Sequence, residues 1–122
     1  MYLPVGYIYT EITVKGTKQK SIRALVDTGA TYLVLDTKMI NELGLPSTPY
    51  QVDLTLADKH KVRARLYVAE VEAEGRKGPV MVAEVDVPVP LLGVFALESL
   101  GLKPDPSSGK LEVIGPEGGY LL

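Results

Sequence analysis

The sequence predicts an all-β domain with one or two short helices, and three observations carry that expectation. Apolar and β-branched residues recur in short alternating runs, Gly, Pro and Lys-rich turns break those runs, and helical spacing appears in only two brief stretches. With 122 residues, 46% of them hydrophobic, the chain has room for one domain over residues 1–122 and a core that needs no cross-links.

Residues 7–15 alternate as Tyr-Ile-Tyr-Thr-Glu-Ile-Thr-Val-Lys and read as a strand; Gly16-Thr17-Lys18 suits a turn, and residues 19–26 return as a second strand. The end of that strand, Ala24-Leu25-Val26, is apolar on both faces and should be buried. Between residues 36 and 43 the spacing of Met39, Ile40 and Leu43 fits one face of a short helix, with Asp36 or Thr37 as N-cap and Gly44 as a left-handed stop before Pro46. Residues 51–56 alternate as a strand, Ala57-Asp58-Lys59-His60 should form a hairpin tip, and residues 62–74 form a long alternating run behind it. This hairpin is the candidate flap. A second turn is expected at Gly75-Arg76-Lys77-Gly78 and a strand over 79–87, ended by Pro88-Val89-Pro90 because proline cannot donate to a ladder. After Leu91-Leu92-Gly93, residues 94–100 have helical spacing closed by Gly101; 104–109 should be a polar loop, 110–114 a strand, and 115–119 a flexible approach to Tyr120-Leu121-Leu122.

Composition removes several chemistries. The chain has no Cys and a single His, which excludes thiol catalysis and disulfides and leaves no His cluster with metal-ligand spacing. A net charge of -2 gives no positive field to gather nucleic acid, and the tyrosines at 2, 7, 9, 32, 50, 67 and 120 read as strand packing rather than a base-stacking surface. Residues 1–6 have neither a basic opening nor a long apolar run, so no signal peptide or membrane span is expected and a cytoplasmic location is the default.

The residues that carry chemistry are Asp27-Thr28-Gly29-Ala30, directly after the apolar strand end. A carboxylate there stands at the end of a rigid element where neighbours can orient and desolvate it. Gly29 permits a sharp turn, and the Thr28 hydroxyl can lock the loop against a partner loop. One carboxyl cannot be both base and acid for amide hydrolysis, but two in contact can, since charge repulsion leaves the pair holding one proton. Asp-Thr-Gly alone also makes a good structural turn, and Leu-Leu-Gly alone is common punctuation. His60, Asp58 and Lys59 read first as solvated tip residues, and Asp36 as a helix cap.

Residues 24–31, Ala-Leu-Val-Asp-Thr-Gly-Ala-Thr, resemble the catalytic loop of the retropepsins and their cellular and bacterial relatives, single-domain homodimeric aspartic peptidases. Leu91-Leu92-Gly93 resembles their second signature, which packs beneath the catalytic loop and precedes a short helix, and the candidate flap lies between the two signatures as that family would have it. Residues 92–102, Pro104-Asp105-Pro106 and 110–113 are similar to the helix and following strand of bacterial relatives, so the likeness spans roughly residues 5–115. It implies a closed, barrel-like retropepsin (acid protease) fold and an aspartic-type endopeptidase active as a homodimer. In that picture Asp27 is catalytic, Thr28, Gly29 and Ala30 support its loop, and flaps at Ala57, Asp58, Lys59 and His60 close on an extended peptide or protein substrate. No metal or other cofactor is implied. Two features depart from the family pattern: Val94-Phe95 stand where many relatives carry Asp, Asn or Arg, and the candidate flap tip lacks the glycines of the viral enzymes. A catalytically weak or inactive retropepsin-fold dimer that binds peptides or proteins, and a purely structural domain with Asp27 as a turn residue, are the competing readings.

Overall fold

The computed structural model describes residues 7–56 and 58–115. Residues 1–6, on which the expected absence of a leader rests, Ala57 of the flap tip, and the tail approach at 116–122 lie outside them. The elements run β1 (Ile8–Lys15), β2 (Gln19–Val26), β3 (Leu33–Leu35), α1 (Thr37–Leu43), β4 (Ser47–Thr55), β5 (Lys61–Ala73), β6 (Arg76–Glu84), β7 (Leu91–Leu92), α2 (Val94–Leu100), β8 (Leu102–Asp105) and β9 (Lys110–Val113). The expectation of a mostly β chain with short helices holds.

Hydrogen bonds join the strands in the order β1-β2-β7-β3-β6-β5-β4, and β1 pairs again with β5. The sheet thereby closes into a ring. Closure depends on the length of β5, whose 13 residues pair with β6 on one side and on the other share β4 above and β1 below. β4 hangs from the ring with β5 as the flap hairpin, and β8 and β9 form a separate hairpin.

The ring separates two cores. The larger contains Ile12, Val14, Leu33, Leu35, Val71, Val82 and Leu92 with Ile40, Leu43, Leu97 and Leu100 of the helices, and the smaller consists of Val34, Ala64, Leu66, Ala83 and Val85 beneath the flap. β5 serves both by changing phase: Ala64 and Leu66 point into the small core, while Ala69, Val71 and Ala73 point into the large one. Alternation along a strand fixes which face a residue takes, so the half-buried pair Tyr67-Val68 marks the crossover.

α1 starts where the Asp36 side chain accepts a hydrogen bond from the Met39 N–H (2.8 Å), and it ends at Gly44 in the left-handed conformation. The sequence expectations need five corrections. β3, whose three residues are all buried, was not foreseen because three residues cannot display a period. The second turn is only Glu74-Gly75, both with positive φ as a two-residue hairpin turn demands, so Arg76, Lys77 and Gly78 belong to β6. β6 stops at Glu84 rather than at the prolines, since its neighbour β3 ends opposite that residue and β5 pairs no further than Ala83. β8 takes Pro104 and Asp105 from the loop expected over 104–109. Of Ala24-Leu25-Val26 only Ala24 is fully buried; Leu25 and Val26 are half-buried, paired with the start of β1 and the two-residue β7, and Val26 packs against the large core.

Candidate active site

The loop that carries Asp27 is fastened from below. The Asp27 N–H donates to the Leu92 carbonyl (3.0 Å) and the Leu25 N–H to Pro90 (2.9 Å), which extends the β2–β7 pairing into the loop. Three carbonyls of the same loop then receive the first free N–H groups of the α2 region: Gly93 donates to Tyr32 (3.0 Å), Val94 to Ala30 (2.9 Å) and Phe95 to Thr31 (2.9 Å). A helix start leaves N–H groups without intrahelical partners, and here loop carbonyls satisfy them while the helix pins the loop. This contact requires glycine at 93, because a Cβ there would lie 2.4 Å from the Tyr32 carbonyl oxygen and 2.7 Å from that of Ala30.

Within the loop the Gly29 N–H donates to Asp27 Oδ1 (2.9 Å), and the Ala30 N–H to the Asp27 carbonyl (3.0 Å). The first of these contacts is one that any turn aspartate can make. What distinguishes Asp27 is the groove it borders, about 480 Å³, lined by Gly29 to Tyr32, Val34, Asp53 to Leu56, Val85, Val87 and Leu91. Its walls are mainly apolar and the inner face of the flap roofs it, so a polar group held there is one of few. A larger hollow of about 910 Å³ lies near the end of β1 and the entry to β4, and its charged residues are Lys15, Glu70 and Lys77. Size favours that hollow, but the loop carboxylate and the overhanging hairpin favour the groove.

The structure brings together Asp27, Gly29, Ala30 and Leu91, with Leu92 and Gly93 directly beneath. Thr28 is exposed. The pair Leu91-Leu92 divides between the faces of the sheet, Leu91 toward the groove and Leu92 into the large core. Asp58, Lys59 and His60 do form the hairpin tip, and none of them lines the groove. There Lys59 adopts φ 71°, the Leu56 N–H donates to the His60 carbonyl (2.8 Å), and Asp58 accepts from the His60 N–H (3.0 Å) and pairs with its Nδ1 (2.9 Å). His60 thereby lowers the Asp58 pKa, through its side chain first and its backbone second. Sequence reasoning missed Tyr32, Val34, Leu54, Leu56, Val85 and Val87. The parity of Val52, Leu54 and Leu56 on an alternating strand was the available signal for the flap residues.

The model of the family described as aspartyl protease matches residues 10–96, from β1 into α2. The chain belongs to the aspartyl protease family. A solved structure, EIAV protease complexed with the inhibitor HBY-793, superimposes with a TM-score of 0.65 at 25% identity, covering 83% of this chain and 94% of the other. Like that protein, this member of the family has the retropepsin fold. None of the curated proteins matches the chain. Among the described residues no helix is long and apolar enough to cross a membrane.

Proposed function

We propose that this aspartyl protease family member is an endopeptidase that works as a homodimer, with Asp27 of each subunit supplying one carboxylate of the catalytic pair. The observation that carries the reading is a loop carboxylate, fixed by the Gly29 N–H, at the wall of an apolar groove under a hairpin. Only one Asp-Thr-Gly exists in the sequence, so the second must come from another copy related by a two-fold axis.

In the assembled pair, repulsion between the two carboxylates raises one pKa, the behaviour for which aspartic proteases are known, and the titration belongs to the pair. The ionised carboxylate takes a proton from water as the water oxygen attacks the peptide carbonyl. The protonated carboxyl gives its proton to the carbonyl oxygen. Collapse of the tetrahedral species breaks the C–N bond, with a proton passing to the leaving nitrogen. No bond between enzyme and substrate forms. An extended peptide or protein segment would pair with the flap strands and lay its apolar side chains along Val34, Leu54, Leu56 and Leu91.

One observation favours the second reading, a dimer that binds peptides without cutting them: the flap tip holds Lys59, a residue with a Cβ, in the left-handed region. Incubation with a diverse peptide library from mildly acidic to neutral pH separates the two. The expected result is cleavage by the wild type, blocked by a statine-type transition-state mimic and abolished in Asp27→Asn. If neither protein cuts, or both cut alike, the peptidase reading fails.

A further inference from the structure

Phe95, the chain's single phenylalanine, is 55% exposed at the second position of α2. Core packing does not call for it: Ala96, Leu97 and Leu100 are the residues α2 buries. Its ring instead stands edge-on to Tyr32, with centroids 6.1 Å apart and planes at 84°. Edge-to-face pairs at this spacing are favourable because the positive ring edge meets the negative ring face.

Tyr32 is half-buried and lines the groove beside Asp27. It is held at both ends, its carbonyl by the Gly93 N–H and its ring by Phe95. Besides Asp27, the polar residues of the groove are Thr31, Asp53 and Thr55; Val34, Val85, Val87 and Leu91 give it apolar walls. We infer that Tyr32 determines specificity in this groove, that Phe95 is its positioning residue, and that the two select a large apolar side chain, aromatic above all, in the part of the substrate lying beside Asp27. The inference rests on the groove being the peptide site of the proposed function.

A phenylalanine side chain here buries its area against Tyr32 and the valines and gains ring contact, whereas alanine leaves that wall unfilled. A carboxylate would lose its water among apolar walls without a paired cation. Without Phe95 the Tyr32 ring loses its edge contact and keeps only its packing against the small core, and the aromatic preference should fall by roughly threefold to tenfold, the range that one aromatic pair commands.

The test uses statine-containing peptides in which each side chain flanking the statine is in turn Phe, Leu, Ala or Asp, titrated calorimetrically into wild type, Phe95→Ala and Phe95→Tyr. At one flanking position the wild type should bind Phe best and Asp worst. Phe95→Ala should lose the Phe-over-Ala preference by the factor above while its affinity for the Ala peptide stays unchanged, and Phe95→Tyr should keep the preference. Sedimentation should give the same subunit equilibrium for all three proteins. A uniform loss across peptides, a shift of the subunit equilibrium in Phe95→Ala, or no binding of any peptide would overturn the inference. Preference without cleavage in the library assay sinks the peptidase reading and leaves this inference standing; cleavage with an unaltered preference in Phe95→Ala does the reverse.

Discussion

Strand β5 has one half of the molecule on each side of its own backbone, and the halves are packed differently. Below Tyr67 its side chains enter a core closed by both helices, where Leu33, Leu92 and Leu100 have no exposed surface. Above Tyr67 they enter a small core completed only by half-buried residues, among them Tyr32, Leu54, Leu56 and Leu91, and these four also line the groove. Apolar packing finished on every side fixes shape, whereas packing left open on one side is a surface a ligand can complete. The lower half is thus closed packing, and the upper half leaves apolar surface open at the groove.

The largest expected effect tests that division directly. Leu97→Ala, at 1% exposure in the large core, should cost about 2–5 kcal/mol of unfolding free energy in denaturant at fixed protein concentration. Leu54→Ala, on the flap's inner face, should cost only about 1 kcal/mol yet weaken peptide binding. Equal stability losses would break the contrast.

Gly93→Ala attacks the seam where the halves meet. A methyl group 2.4 Å from the Tyr32 carbonyl oxygen must push the Asp27 loop away from α2, at about 1–3 kcal/mol. Because the displaced loop bears the carboxylate, peptide cleavage should fall far more than in a core variant of matched stability. Proportionate losses would show that the seam contributes no precision to the site.

How much of this could be read beforehand follows the same line. The Asp27 loop, Leu91-Leu92-Gly93 and the α2 boundaries were legible because turn, cap and periodicity are local properties of the chain. The crossover in β5 was present too, in the charges that stand at 61, 63 and 65 and then at 70 and 72, but a uniform alternating run hides a change of parity unless faces are tracked. Tyr32 read as strand packing, whereas it sits in the loop before β3 and borders the groove. Its ring meets that of Phe95, 63 residues further along the chain, and no local pattern reports a pairing at that distance.

At the crossover itself, the Tyr67 hydroxyl donates to Glu84 Oε1 (2.9 Å). Burial first, and then the bond and negative charge of Glu84, raise the Tyr67 pKa above its usual value near 10. A raised folded-state pKa means that the stabilisation is complete below the unfolded value and is lost as pH climbs through the folded one. Tyr67→Phe should therefore cost about 1 kcal/mol at neutral pH. It should also flatten the decline in stability above about pH 10, which denaturation at several alkaline pH values would reveal.

The smallest effect lies at the flap tip and has the opposite sign. Lys59 occupies the left-handed region at φ 71°, where a side chain costs about 1–2 kcal/mol. Glycine escapes that cost but loses about 0.5–1 kcal/mol more conformational entropy on folding. Lys59→Gly should therefore gain roughly 0.5 kcal/mol, seen as a slightly higher midpoint in denaturant. Because the tip belongs to the loosely packed half, relief of strain there should ease flap movement more than it raises global stability. Faster association of a statine-type mimic without a change in its dissociation would express that. A loss of stability would instead mean that the Lys59 side chain holds the tip, and the upper half would then be more cohesive than its open packing implies.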